Sequence, residues 1–311
     1  MRANRKSKIA NPKSQIPMLS PSLVVPAFAS WAFLVGASVG SFLNVCIYRL
    51  PRNESVVFPA SHCPWCNTRL RLTDLVPLVS QLVLRSRCRY CGQWFSWRYF
   101  GVELLTGLCF AGLAWRYGFT WQLLPYAVLT AALLAAVFTD LDCWLIPDEL
   151  TLVAALAGVG YDLALLVRHQ TQMLRVPVPW PGHEFQAAVP QSVAGMLFAG
   201  GVVLLVGWIG TRLFRKESMG GGDVKLAAAV GAHLGLTAHL LSFFLVAVTA
   251  GSAVGIILLI ARRKHGKDYL PFGPMLAGGA LAVLFFGQWL TPALVRIYDP
   301  SVLWWLLAGH S

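Results

Sequence analysis

"LLSFFLVAVTAGSAVGIILLI", residues 240–260, runs for 21 residues without a charge. A helix needs about 20 apolar residues to cross the hydrocarbon of a bilayer, so this stretch predicts a spanning helix and a membrane fold. The whole chain agrees. Of its 311 residues 57% are hydrophobic and 12% charged, whereas a soluble domain carries about a quarter charged residues. Further apolar segments lie at Leu23–Cys46, Tyr99–Trp115, Trp121–Thr139, Leu150–Val167, Val193–Ile209, Leu226–Leu236 and Met275–Leu290. Leu226–Leu236 is too short to cross alone. The expectation is an all-α polytopic membrane protein with about eight transmembrane helices. The start of the chain is basic and then polar, with no small-residue cleavage site, so no cleaved signal peptide is expected. Tyr298 to Ala308, with Trp304 and Trp305, reads as an interfacial anchor.

Charge assigns sides. There are 25 Lys and Arg against 13 acids, a formal charge of +12. In a soluble chain that excess suggests nucleic acid. Here it reads as the basic bias of cytoplasmic loops, and no nucleic-acid partner is expected. Residues 49–98 hold eight arginines, residues 212–225 four basic residues and residues 262–267 four more. Eight spans put all three loops on one face, which the bias makes cytoplasmic. The N-terminal tail, with Arg2, Arg5, Lys6, Lys8 and Lys13, then falls on the other face, against the rule. Asp140 ends the third segment and Asp223 begins the sixth, so both acids are expected at the cytoplasmic membrane face.

The first loop contains "HCPWCNTRLRLTDLVPLVSQLVLRSRCRYCG", residues 62–92. Cys63 and Cys66 form one C-x2-C knuckle, Cys88 and Cys91 the other. Each short turn aims two thiolates at one ion, the pattern of a tetrahedral zinc site. Two disulfides are the competing reading, disfavoured in a reducing cytoplasm. With four cysteines and no vacant position the zinc is expected to be structural, holding a small insertion that lacks its own core. Cys46, Cys109 and Cys143, in or beside spans, read as small apolar fillers.

Two acidic stretches remain. "FTDLDCWLIPDELTL", residues 138–152, holds Asp140, Asp142, Asp148 and Glu149. Acids at or in spans are costly and usually functional. Asp148, after Pro147, reads as a helix cap, with Glu149 in the first turn. Asp140 and Asp142 are two apart and cannot share a helix face. Asp140 is the candidate to point inward and Asp142 the fallback. "ESMGGGDVKLAAAVGA", residues 217–232, puts Asp223 behind Gly220, Gly221 and Gly222. Asp223 alone reads as a helix cap. Two acids on one face of a bundle favour a pair sharing one proton, able to activate water and protonate a leaving amine. The glycines then admit a substrate backbone and let Asp223 approach Asp140. Asp162 and Glu103, within apolar runs, are open between buried pairing and function.

These residues resemble the bacterial prepilin peptidases, the prepilin leader peptidase/N-methyltransferases of type IV pilus and type II secretion systems. The likeness runs from about Gly36 to Gly287. It is carried by "GSFLNVCIYRLP", the two knuckles, "VPLVS", "RYFGVELLTG", "DLDCWLIPDELTL", "GGGDVKLAAAVGAHLG" and "PFGPMLAGGA", in the family's order. The resemblance implies an aspartic peptidase of the GxGD type, with catalytic acids Asp140 and Asp223 in the inner membrane. It further implies prepilins or pseudopilins as substrates, their basic leader cut on the cytoplasmic side just before an apolar helix. Methylation of the new N-terminus with S-adenosylmethionine is implied too, by residues the sequence does not identify. Gly221 stands where many members carry an aromatic residue. The expected organisation is a basic tail at 1–22, a first span at 23–48 and the four-cysteine loop at 49–98. A multi-span peptidase domain at 99–290 and an interfacial tail at 291–311 complete it. The competing classes are a transporter using intramembrane acids, which needs no cysteine loop, and a membrane-tethered zinc-ribbon binding module.

Overall fold

The computed structural model describes residues 21–168, 173–180, 183–215, 219–261 and 271–298. The basic tail 1–20, the basic loop 262–267 and the Trp304–Trp305 anchor lie outside the described residues. Lipid cannot satisfy backbone N–H and C=O groups, and an α-helix pairs them internally. The apolar segments accordingly fold as helices. In chain order these are α1 (Pro21–Arg49), α2 (Val79–Val83), α3 (Arg98–Tyr117), α4 (Leu123–Cys143) and α5 (Asp148–Val167), then α6 (Gln191–Phe214), α7 (Gly221–Leu234), α8 (Ala238–Ile260) and α9 (Gly273–Tyr298). Short 3-10 turns at Leu50–Arg52 and Leu72–Leu75 belong to the loop between α1 and α3.

Among the described residues six helices are long and apolar enough to cross a membrane: Val24–Arg52, Leu123–Cys143, Asp148–Val167, Gln191–Leu213, Ala238–Ile260 and Gly273–Arg296. This corrects the eight spans expected. The two others are helical but fall short for different reasons. α3 has 20 residues, but Arg98, Glu103 and Arg116 dilute its apolar content. α7 has 14 residues, a rise of about 21 Å.

Both belong to the bundle nonetheless. α3 runs antiparallel along α1, from the Asn44 Nδ2–Tyr99 carbonyl hydrogen bond (3.0 Å) at one end to the edge-on Phe28–Phe119 contact (5.5 Å) at the other. The two backbones approach closely because α1 offers Gly36 and Gly40 on one face. A Cβ there would lie 2.6 Å from Phe110 Cβ and 2.7 Å from Glu103 Cα. Small residues four apart are the usual means of close helix packing in lipid. α7 is the hub of the second half, touching α4, α5, α6, α8 and α9. Its Leu226, Ala227, Ala229 and Val230 are fully buried, in a core shared with Leu129, Leu133, Phe243, Leu276 and Leu284. Outward faces such as Leu204, Leu205, Ile256 and Ile257 are exposed, as a lipid-facing surface requires.

A second correction concerns fold class. Met173–Trp180 (β1) and His183–Pro190 (β2) pair antiparallel between α5 and α6, so the chain is not all-α. Pro177 and Pro179 lack the N–H of an inner strand, but in a two-stranded ribbon every strand is an edge.

The closest helix contact joins α6 to α7. A Cβ on Gly195 would lie 2.3 Å from the Gly231 carbonyl oxygen, and one on Gly231 2.2 Å from that of Gly195. Gly231→Val is therefore expected to force the hub away from α6 and destabilise the detergent-solubilised protein by about 1–3 kcal/mol or more. Gly201→Ala, on α6 with nothing within 4 Å of its Cβ position, should leave the thermal midpoint within error. Equal midpoints for the two variants would refute this packing.

Candidate active site and metal centre

Three helix ends meet at one end of the bundle. Asp140 is in the last turn of α4 and Asp223 in the first turn of α7. Both are nearly buried, at 7% and 8% exposure. The residues beside them converge on Ile146, which lies against the Cβ positions of both Gly222 and Gly273. The N-terminus of α9 completes the arrangement, because the Gly273 N–H donates to Asp140 Oδ2 at 3.1 Å. A Cβ on Gly273 would sit 2.6 Å from that oxygen, so only glycine brings its amide this close. The N-termini of α7 and α9 carry partial positive charge, which favours acids beside them. Such an amide-held carboxylate beside a second carboxyl can polarise a water and supply a proton.

Asp223 is not the cap of α7. Gly220 holds that position, and the Asp223 N–H donates to its carbonyl oxygen at 3.2 Å. Gly222 packs on Ile146, its Cβ position 2.9 Å from Ile146 Cβ. Gly221 has nothing within 4 Å of its Cβ position, so a side chain there would have open space. Gly273 escaped the sequence reading; its only signal is "PFGP", and its partner lies 133 residues away.

The other acids have separate tasks. Asp142 lies at the surface and pairs with Arg98, whose guanidinium stacks over Phe138. Asp148 is not a cap either. Pro147 occupies that position, and both Asp148 oxygens accept from Lys225 Nζ at 2.7 Å. Glu149 lies in the same first turn. Asp162 accepts the Ser192 N–H at 2.9 Å near the start of α6. Glu103, 5% exposed, accepts the Leu78 N–H at 2.8 Å and fastens the cysteine loop to α3. Cys46 is buried as expected of a filler, but Cys143 is exposed and is not one.

The four-cysteine loop folds as two matching knuckles. The Cys63 N–H donates to Thr68 O and the Asn67 N–H to Cys63 O; the Cys88 N–H donates to Gln93 O and the Gly92 N–H to Cys88 O. Asn67 (φ 53°) and Gly92 (φ 72°) hold the same left-handed position four residues after the leading cysteine. Asn and Gly are the residues that adopt it most cheaply. The four Sγ atoms lie within 4.8 Å of one another, with Cys63 and Cys91 3.8 Å apart. A zinc tetrahedron with sulfurs about 2.3 Å from its centre has edges of about 3.8 Å. The thiols are free, not disulfides. Their ionisation is strained without a shared cation. Hydrogen bonds from Thr68 bring Cys66 down to about 6. The Gln93 backbone bond lowers Cys91, but burial and the thiols of Cys88, Cys66 and Cys63 push it up to about 12. The spacing of the four sulfurs makes the cluster compatible with zinc.

Comparison with known proteins gives the same two-part division. Residues 34–117 match the bacterial peptidase A24 N-terminal domain, and residues 127–260 match the type IV leader peptidase family. A prepilin leader peptidase/N-methyltransferase of Myxococcus xanthus is 37% identical, over 79% of this chain and 68% of its own. Proteins of the same name from Burkholderia pseudomallei and Neisseria gonorrhoeae are each 34% identical. The first covers 83% of this chain and 85% of its own, the second 85% and 90%. No solved structure gives a significant match.

Proposed function

The chain belongs to the prepilin leader peptidase/N-methyltransferase family, and from that premise we propose that Asp140 and Asp223 are its catalytic dyad. The observation that carries this is the burial of two acids 83 residues apart in sequence, beside glycines, Gly222 and Gly273, that both pack on Ile146. The chain is a multi-pass membrane aspartic endopeptidase that cleaves prepilins or pseudopilins and methylates the new N-terminus. In the reaction the ionised carboxylate of the dyad takes a proton from water, which attacks the scissile carbonyl. The protonated partner then gives its proton to the departing amine nitrogen, and the dyad is left with one proton again. Gly220, whose Cβ position meets only Asp223 Oδ2 at 3.8 Å, and Gly221, with nothing within 4 Å, leave room for an extended substrate backbone beside Asp223. The basic loops 49–98 and 212–225 support a cytoplasmic orientation of this end of the bundle in the bacterial inner membrane. A reporter after Lys216 should then read cytoplasmic and one at Pro181 outside; a cytoplasmic Pro181 would overturn that orientation.

Cys63, Cys66, Cys88 and Cys91 would hold zinc as a structural ion, which supplies cross-linking and no reaction step. The cavity within the cysteine loop, lined by Ser86 and Gln81, measures about 40 Å³, far too small for S-adenosylmethionine. No residue is assigned to the methyl donor.

Asn at either dyad position keeps size and hydrogen bonding but removes the shared proton and the charge. Asp140→Asn and Asp223→Asn should each lower prepilin cleavage at least ~1,000-fold, and the double variant hardly further, as for residues acting as one unit. Asp142→Asn and Asp148→Asn break exposed ion pairs worth under about 1 kcal/mol and should retain cleavage. The pH profile should be bell-shaped, falling in acid as both carboxyls protonate and in alkali as both ionise. A size shift of prepilin in well-expressed Asp223→Asn membranes would end the aspartic mechanism.

Metal analysis of protein purified without chelator should find about one zinc per chain. Cys66→Ser should lose it and expose residues 60–92 to protease, while the distant dyad keeps part of its cleavage activity. Zinc-free wild-type protein with a protected loop would exclude the ion.

A further inference from the structure

We propose that residues 76–83 of the cysteine loop form a re-entrant segment seated in the acyl region of the bilayer, with the arginines on either side of it reaching the headgroup phosphates. One hydrogen bond fixes the depth of this segment. The Leu78 N–H donates to Glu103 at 2.8 Å, and Glu103 is five residues into α3, about 7 Å along the helix. On α1 it faces Gly40, whose Cβ position is 2.7 Å from Glu103 Cα. Gly40 is nine residues before Arg49, so that level is about 13 Å from the end of α1. Helical side chains lean toward the start of their helix. That lifts the Glu103 carboxylate by part of this distance and still leaves Leu78 beside the bundle, not above it. Leu78 is the tip of a γ-turn: its φ is 62°, and the Val79 N–H donates to the Pro77 carbonyl oxygen at 2.6 Å. Such a turn is rare and strained and persists where its surroundings hold it, here through Glu103.

Side chains at that level are covered by hydrocarbon or by protein. Val76, Val79, Leu82 and Val83 are all exposed, Val83 at 72%. Lipid is favoured because the backbone pairs within the segment, as hydrocarbon demands. The Ser80, Leu82 and Leu84 N–H groups donate to the Val76, Leu78 and Ser80 carbonyl oxygens, and Pro77 has no N–H to satisfy. The nearby acid, Asp74, is turned inward: its side chain is 3% exposed and accepts from Arg89 and Tyr90. Charge completes the pattern. Arg69 and Arg71 precede the segment, Arg85 and Arg87 follow it, and all four are exposed. Arginines at the ends of an apolar stretch carry their charge to the headgroup level on apolar stems, where phosphates complement them. The helix that the segment is fastened to, α3, exposes its own Leu105 and Leu108 to the same medium.

The test places a photoreactive benzophenone side chain at one exposed position at a time in the full-length protein. The protein is reconstituted in vesicles of phosphatidylethanolamine and phosphatidylglycerol, illuminated, and read by mass. Probes replacing Leu82 and Val83 should each add the mass of one phospholipid, as should a probe replacing Ile257 on the outer face of α8. A probe replacing Gln93, exposed in the second knuckle, should add none. Glu103→Ala should lose the adducts at Leu82 and Val83 and keep the one at Ile257; Glu103→Gln, which retains an acceptor, should restore them. If Glu103→Ala does not accumulate, the comparison of Leu82 and Val83 with Gln93 decides alone. Adducts at Ile257 with none at Leu82 or Val83 would overturn the inference, as would cross-links to a second copy of the chain in their place. Equal adducts at Gln93 would overturn the local dip, because the whole loop would then lie against the membrane. Equal adducts with and without Glu103 would overturn its hold on the segment.

Discussion

The arrangement depends on burying two carboxyls beside each other at one end of an apolar bundle. Removing an acid from water costs several kcal/mol, and placing a second beside it adds repulsion. The surrounding structure offsets both costs with backbone. The N-termini of α7 and α9 face the acids, and the Gly273 amide touches Asp140 directly. Among the described residues, Arg98 and Lys225 are engaged with Asp142 and Asp148 and not with the two buried carboxyls. A cation on the dyad would hold both acids ionised and remove the shared proton the chemistry needs. Amide dipoles stabilise one negative charge without enforcing two.

Backbone can serve in this way only where glycine lets it approach. The same device appears at three levels of the fold. Gly36 and Gly40 seat α3 on α1, Gly195 and Gly231 bring α6 and α7 into backbone contact, and Gly222 and Gly273 close around Ile146 and Asp140. In lipid there is no hydrophobic force to press helices together, and close backbone packing takes its place. The cysteine loop follows other rules. It has no large core, so matching knuckles that gather four thiols organise it. It joins the bundle through the Leu78 amide on Glu103 and through buried Arg49, which donates to the Ser55 and Pro59 carbonyl oxygens.

What could be read from the sequence was what is local or periodic. The cysteine cluster was legible because C-x2-C spacing dictates a turn, and the spanning helices because their apolar runs have the right length. Asp140 could be separated from Asp142 because residues two apart face different ways on a helix. Everything joining distant segments was hidden. The Gly273–Asp140 bond crosses 133 residues and the Lys225–Asp148 pair 77, and no pattern links their partners. Asp148 was misread as a cap because a proline before a helix signals a boundary, without saying which residue ends it. The hairpin of β1 and β2 was missed because its signals, alternating valines and prolines around Trp180-Pro181-Gly182, resemble a loop between spans. The span count failed where composition and position part company, since α3 is too polar and α7 too short for helices that the bundle nevertheless encloses.

The shortness of α7 has a consequence for the chemistry. A full-length helix beginning at Gly221 would project its far end beyond the bundle or draw Asp223 toward the bilayer centre. Fourteen residues, closed at Gly235 (φ 63°), let α7 sit inside the ring of α4, α5, α6, α8 and α9 with its first turn at the bundle end. Asp223 is therefore buried by protein yet lies at the end of the bundle. An acid at the midplane would need a channel to carry water and an extended peptide through hydrocarbon. The short hub removes that need for the dyad proposed above.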